Sequence, residues 1–289
     1  MDRLLFVFLL TAFINLINTL TRSSRLSGVR TGHLATAISL FTVVYLAASF
    51  ANTLQAPLLA STVERTIEDA YSMSLTISAD NVTNTAIYQE TLSSLNLKLR
   101  FVMLGATLGT VVGIFVIPSF VASFSNAIRS FAKTGSVYRV MFLVFINMFK
   151  PGSAILSWRK PSLAGVREML THKMTTPKGF IYWNFASYSL WTVNVLSGLY
   201  AGALYPEFRS TAVLMASIVG NASIVLSVMM VDPILAKVTD DVAGGVKDEI
   251  ELKQIIFYLA ISNLLGTLLS QAIFEPVARG LQALTIWIT

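Results

Sequence analysis

The residues best suited to chemistry lie in one short stretch, RSSRLSGVRTGH, from Arg22 to His33. Three arginines (Arg22, Arg25 and Arg30), three serines and two glycines sit there between two apolar runs. A guanidinium presents its donors as a planar fork that matches phosphate and pyrophosphate oxygens. The same arginines also fit a topology signal that meets anionic lipid headgroups. Amides form a second set. Asn15 and Asn18 are three residues apart, as are Asn52 and Gln55, so each pair shares a helix face. These four are candidates for the wall of a polar path. Asn194, Asn221, Asn263 and Gln271 complete a scattered group whose ordinary role is interhelical hydrogen bonding. Asp232 and Glu275 each precede a proline near the far end of an apolar run. Each is either an interfacial anchor or a carboxylate that pairs with a base or carries a proton.

Enzyme chemistry finds little support. The two histidines, His33 and His172, fall in expected loops, and there is no cysteine. Disulfides, thiolate metal sites and cysteine nucleophiles are therefore excluded. No zinc-protease motif, phosphate-binding loop or metal-ligand cluster occurs, and Gly244-Gly245 reads as a flexible loop. Nothing points to a cofactor, a metal or a nucleic-acid partner. The pattern leaves room for a homo-oligomer.

The elements that must position these groups are membrane helices. The chain has 289 residues, 54% hydrophobic and 12% charged, with a mean hydropathy of +0.68. A soluble domain carries about 25% charged residues, so the fold class is all-α, a polytopic integral membrane protein. About 20 apolar residues are needed per crossing. Six segments qualify: roughly Leu4–Thr21, Leu34–Ala60, Leu99–Phe120, Phe180–Leu204, Thr211–Ala236 and Ile255–Phe274. The first resembles a signal peptide only in outline. No small-residue cleavage pattern follows, and it is expected to be retained. The run Val137–Phe149 is too short to span and reads as an interfacial or re-entrant helix. Should it span, the orientation of everything after it reverses.

Charge sets the orientation. Nine bases and one acid lie between Arg129 and Lys178, and three bases and no acid lie between Arg22 and His33. Both stretches are expected in the cytoplasm. The loop Ser61 to Lys98 carries five acids and belongs outside, which puts both termini outside. The triplet Asn81-Val82-Thr83 matches a glycosylation acceptor, a match that arises easily by chance.

Spacing suggests an internal repeat. Asn18 to Pro57 and Asn194 to Pro233 are both 39 residues. In that register Asn18-Thr19-Leu20 faces Asn194-Val195-Leu196, and Pro57-Leu58-Leu59-Ala60 faces Pro233-Ile234-Leu235-Ala236. Each half also carries Leu-Gly-Thr, at 108–110 and 265–267, with Pro118 and Pro276 beyond. Three-helix units of this kind are odd, so the halves 1–132 and 179–289 would be inverted repeats around a basic connector, 133–178. Two prolines that merely sit near helix ends would give the same match. Pro57, Pro118, Pro233 and Pro276 are expected to mark helix ends or bends and are hinge candidates. Gly105, Gly109 and Gly113 recur every four residues and point to close helix packing.

The stretch NLINTLTRSSRLSGVRTGHLATAISLF followed by ANTLQAPLLAS resembles the Amj family, bacterial lipid II flippases named as the alternate to MurJ. YPEFRSTA at 205–212 and DPILAKVTDD at 232–241 look similar to the same family. The resemblance implies movement of the undecaprenyl-pyrophosphate-linked precursor from the inner to the outer leaflet. Its partners would be lipid II and the surrounding membrane lipids, at the bacterial cytoplasmic membrane. It carries over no established substrate-binding residue. On the residues themselves, Arg22, Arg25 and Arg30 would capture pyrophosphate while Asn15, Asn18, Asn52 and Gln55 line the path. Asp232 or Glu275 would compete for the arginines or couple protons. Two other readings stay open. A secondary transporter of a soluble anion predicts a site sealed from lipid. A membrane scaffold predicts arginines replaceable by lysine.

Overall fold

A computed structural model describes residues 3–77, 82–136 and 162–289, and it is helical throughout, with no strand among these residues. The segment Val137–Phe149 lies outside the described residues, as do Asn81 and four of the connector's bases, Arg139, Lys150, Arg159 and Lys160.

The first half contains α1 (Arg3–Leu20), α2 (Ser23–Thr31), α3 (Leu34–Leu75) and α4 (Ala86–Thr134). A short α5 (Leu163–Thr171) precedes the second half. That half contains α6 (Gly179–Leu204), α7 (Arg209–Leu226), a π-helical turn (Ser227–Val231), α8 (Asp232–Ala243) and α9 (Glu249–Ile288). Among the described residues, five stretches are long and apolar enough to cross a membrane: Arg3–Thr31, Leu34–Leu75, Ala86–Thr134, Pro206–Ala243 and Glu249–Ile288. The sixth expected span, α6, is too polar to join them by composition. It nevertheless runs the length of the bundle. Phe180 at its start packs in the cluster of Leu26, Leu235, Leu252 and Leu259 at the α2 end. Tyr200 and Ala203 near its close pack with Leu59, Val63, Tyr88 and Phe274 at the other end.

Three sequence expectations are corrected. The stretch Arg22–His33 is not a loop but mostly the helix α2. Its serines bond locally or across: Ser23 Oγ to Leu20 O at 2.6 Å, Ser24 Oγ to Thr21 O at 2.7 Å, and Ser27 Oγ to Val121 O at 3.2 Å. Gly32 ends the helix at φ 70°, a left-handed position that favours glycine.

The acidic loop Ser61–Lys98 is largely a helical hairpin. Val63, Ile67 and Ala70 recur at helical spacing on α3 and meet Tyr88, Leu92, Leu95 and Leu99 of α4. Glu64, Glu68, Asp69 and Glu90 occupy the opposite, exposed face, as in any amphipathic helix. Thr85 caps α4 by accepting from Tyr88 N at 3.3 Å.

The third correction concerns the prolines. Pro57, Pro118 and Pro276 lie inside α3, α4 and α9, which continue well beyond them. Proline costs a helix one hydrogen bond and a local clash. Here apolar packing on both sides, such as Leu59 and Val63 after Pro57, holds the helix together. Pro233 differs from these three: it occupies the first turn of α8, directly after a π turn that interrupts the α-helical pattern within the stretch Pro206–Ala243.

Small residues set how closely the helices approach. A methyl group on Gly105 would lie 2.6 Å from Phe8 O, and one on Gly109 would run into the Ala12 carbonyl. α1 and α4 are therefore in backbone contact. Gly266 of α9 sits in the same way against Phe185 O and Ser189 N of α6, at 3.2 Å each. The α2 end is further fixed by Glu251, a buried carboxylate. It accepts from Thr175 Oγ1 (2.7 Å), Thr176 N (3.0 Å), Thr176 Oγ1 (2.6 Å) and Lys247 Nζ (3.0 Å).

A laterally open arginine cavity as the candidate site

The polar residues of α6 recur as Asn184, Ser187, Tyr188 and Trp191, spaced i, i+3, i+4 and i+7, so one face of the helix is polar. That face lines a cavity of about 440 Å³ at the α2 end, within the size range of ligand pockets. Asn18, Thr21, Arg22 and Arg25 close it from α1 and α2, Ser223, Ser227 and Asp232 from α7 and α8, and Asn263 from α9.

Arg22 is the centre of this cavity. Its side chain is 17% exposed, and its Nη2 lies 3.9 Å from Asp232 Oδ1. Nη1 donates to Asn184 Oδ1 at 2.6 Å and Nη2 to Ser227 Oγ at 3.4 Å. The junction of α1 and α2 thus meets three elements of the second half at one guanidinium. The long reach to Asp232 leaves that pair loose compared with a contact salt bridge.

The cavity is open on one flank. Tyr45 of α3, Ile224 of α7 and Val228 of the π turn line it and are also 40%, 47% and 55% exposed. They belong to the outward-facing apolar surface that includes Leu46, Phe50 and Leu54. That flank of the mouth is therefore apolar, the Asp232 side chain is the polar group of the lining that stands 43% exposed, and the floor is cationic and amide-lined.

A second, smaller cavity of about 100 Å³ lies beyond the first, lined by Thr11, Asn15, Asn52, Gln55, Thr192 and Asn194 among others. Asn52 lies seven residues, about two turns, beyond Tyr45 on the same side of α3. Trp191 is the residue common to both linings. Beside it Tyr188 Oη donates to Asn15 Oδ1 at 2.9 Å, and Gln55 Nε2 donates to Thr11 Oγ1 at 2.8 Å. Tyr188, Trp191 and Asn15 form a partition between the two spaces.

The structure thus gathers Arg22, Arg25, Asn18 and Asp232 in the larger cavity and Asn15, Asn52 and Gln55 around the smaller one. It takes Arg30 and Glu275 elsewhere. Arg30 bonds Glu249 Oε1 at 2.8 and 3.1 Å on the exposed surface. Glu275 pairs with Arg279 at 2.6 Å, and its neighbour Phe274 packs at the end remote from α2. Of the hinge candidates, Pro233 follows Asp232 of the larger cavity and Pro57 follows Ala56 of the smaller one. Sequence reasoning missed Asn184, Ser187, Tyr188, Trp191 and Ser227. Another omission is Arg100, set over the Phe274 ring at 5.6 Å and bonded to Asn96 and to the Gln271 carbonyl.

A helical bundle with a cationic cavity that opens sideways through an apolar mouth has the build of a membrane transporter for an amphiphile. The family model described as "Amj: Alternate to MurJ" matches residues 10–285. The chain is 35% identical over 287 residues to the lipid II flippase Amj of Bacillus subtilis strain 168, covering 99% of this chain and 97% of that protein. The chain belongs to the Amj family. No solved structure gives a significant match.

Proposed function

We propose that the protein is a lipid II flippase, moving the undecaprenyl-pyrophosphate-linked peptidoglycan precursor from the inner to the outer leaflet of the bacterial cytoplasmic membrane. The observation that carries this reading is the flank opening. A substrate with a doubly anionic pyrophosphate and a long hydrocarbon tail needs a polar recess for the head and an unbroken route for the tail in lipid. Arg22 and Arg25 supply the recess, and Tyr45, Ile224 and Val228 form the lipid-facing rim. A transporter of a soluble anion would instead seal such a charge from lipid. The activity is transport, not bond-making chemistry.

The basic α2 end faces the cytoplasm in this reading, because the excess of arginine and lysine follows the positive-inside rule. Pyrophosphate would be taken there by Arg22 and Arg25, with Asp232 held loosely enough to give way. The headgroup would then pass the Tyr188–Asn15 partition toward the amides around Asn52 and Gln55. Arg30 keeps the role of a surface charge.

Two packing contacts support the halves 1–132 and 179–289 as inverted repeats. Gly109 of the first Leu-Gly-Thr packs on Ala12, and Gly266 of the second packs beside Tyr188. Ala12 and Tyr188 each lie six residues before the asparagine that the register aligns, Asn18 and Asn194. The halves differ at their second helix, α-helical through Pro57 in one and carrying a π turn before Pro233 in the other. That irregularity makes the π turn the favoured place for movement.

The direct test is movement of labelled lipid II across liposomes holding the purified protein, with Arg22, Arg25 and Arg30 changed to alanine singly and together. Loss of movement in the Arg22 and Arg25 variants is expected. Normal movement in every single variant and in the triple variant would remove the capture role. An inactive wild-type protein that carries a soluble anion would overturn the flippase reading itself.

A further inference from the structure

We infer that Asn184 is the positioning residue for anion capture, holding the Arg22 guanidinium at the cavity in the orientation that receives pyrophosphate. This deepens the flippase reading and rests on it for the identity of the anion. Asn184 is 1% exposed, on the polar face of α6. Its Nδ2 donates to Ser262 Oγ at 2.6 Å, Asn263 Oδ1 at 2.7 Å and Leu259 O at 3.2 Å, all on α9. Those acceptors leave the amide no freedom to turn. Were it flipped, an N–H pair would face the N–H groups of Arg22, and a carbonyl oxygen would face the Asn263 and Leu259 oxygens. The α9 contacts therefore force Oδ1 toward Arg22, which it meets at 2.6 Å.

The consequence is a guanidinium fixed by a neutral acceptor. An arginine carries five N–H donors and no acceptor. One is committed to Asn184, and among the described residues Nη2 has only Ser227 at 3.4 Å and Asp232 at 3.9 Å. An incompletely used fork is thus kept at the cavity, its charge offset only by the loosely held Asp232. A carboxylate in the position of Asn184 would orient Arg22 equally well but cancel the charge that attracts the anion. The amide gives orientation without neutralisation. Ser262 and Asn263 act behind it, as the groups that hold its direction.

Binding of inorganic pyrophosphate and of lipid II to the full-length protein in nanodiscs tests this, with Asn184→Ala, Asn184→Asp and Ser262→Ala each measured alone and in an Arg22→Ala background. Loss of one charge-assisted hydrogen bond predicts about tenfold weaker binding for Asn184→Ala. Asn184→Asp should be weaker still, and Ser262→Ala, which leaves Asn184 in place, should fall between wild type and Asn184→Ala. In the Arg22→Ala background each of these changes should have an effect below about twofold, because neighbouring groups acting on one bond are not additive. The proposal is overturned by wild-type affinity in Asn184→Ala, by tighter binding in Asn184→Asp, or by losses that persist undiminished without Arg22. If Asn184→Ala does not fold, Ser262→Ala carries the same test. Pyrophosphate coupling without lipid II movement would fail the flippase reading and leave the positioning role intact. Lipid II movement without coupling would do the reverse.

Discussion

Arg22→Lys keeps the charge and removes the fork, so it separates capture of a pyrophosphate from attraction of any anion. Arg22 spends one N–H on Asn184 at 2.6 Å and has further donors for two phosphate oxygens. Lysine has three donors around a single nitrogen at the end of a flexible stem, and it cannot hold Asn184 while also gripping two oxygens side by side. The deficit is about one charge-assisted hydrogen bond, roughly 1.5–3 kcal/mol, equivalent to about a ten- to hundredfold loss of affinity. Arg30→Lys, near the end of α2, provides the comparison. Its partner Glu249 is 36% exposed, and surface pairs of that kind contribute about 0–1 kcal/mol. The assay is the rate of lipid II movement in proteoliposomes against lipid II content. Arg22→Lys should need about tenfold more lipid II for half-maximal rate, and Arg30→Lys should follow wild type. Equal behaviour of the two variants, whether both normal or both impaired, would refute the division of roles between them.

Other outcomes follow from the packing. Tyr188→Phe removes the hydroxyl that Asn15 accepts at 2.9 Å. It should loosen the partition, seen as faster labelling of a cysteine introduced at Asn52 by a thiol reagent supplied from the α2 side. Unchanged labelling would contradict the partition. Gly109→Val drives a branched side chain into the Ala12 carbonyl. It should cost about 1–3 kcal/mol, read as a lower midpoint of thermal unfolding in detergent, and a wild-type midpoint would contradict the backbone contact. Glu251→Ala strips the acceptor shared by Thr175, Thr176 and Lys247. A loss of about 2–3 kcal/mol is expected, with proteolysis between α5 and α6 as the early sign. Resistance equal to wild type would show that the knot is not needed.

Most of the bundle was legible in the apolar runs, because a bilayer imposes run length directly on sequence. What escaped follows from reading charge and polarity as loops. Glu64 and Glu68 looked like loop residues, yet Val63, Ile67 and Ala70 around them already spelled an amphipathic helix. The α2 stretch hid its helix because its serines satisfy their hydroxyls on backbone carbonyls, a pattern without hydrophobic period. At the site, Arg22 and Arg25 could be found from type and spacing. The sorting of Arg30 away from them could not, since it depends on Glu249, more than 200 residues later. Asn184, Tyr188 and Trp191 carried a readable signal, polar groups at helical spacing in the least apolar span. Without its partners on α9 and α1, that face was indistinguishable from ordinary interhelical bonding.

The central claim, that lipid II crosses through the flank opening, is tested most directly by closing that opening. The chain lacks cysteine, so Tyr45→Cys and Val228→Cys can be joined across the mouth by a reducible bifunctional reagent in the reconstituted protein. Lipid II movement is then followed before and after reduction. The account predicts that movement stops when the mouth is bridged and returns when the bridge is cut. Movement that continues at the wild-type rate with the mouth bridged would contradict it.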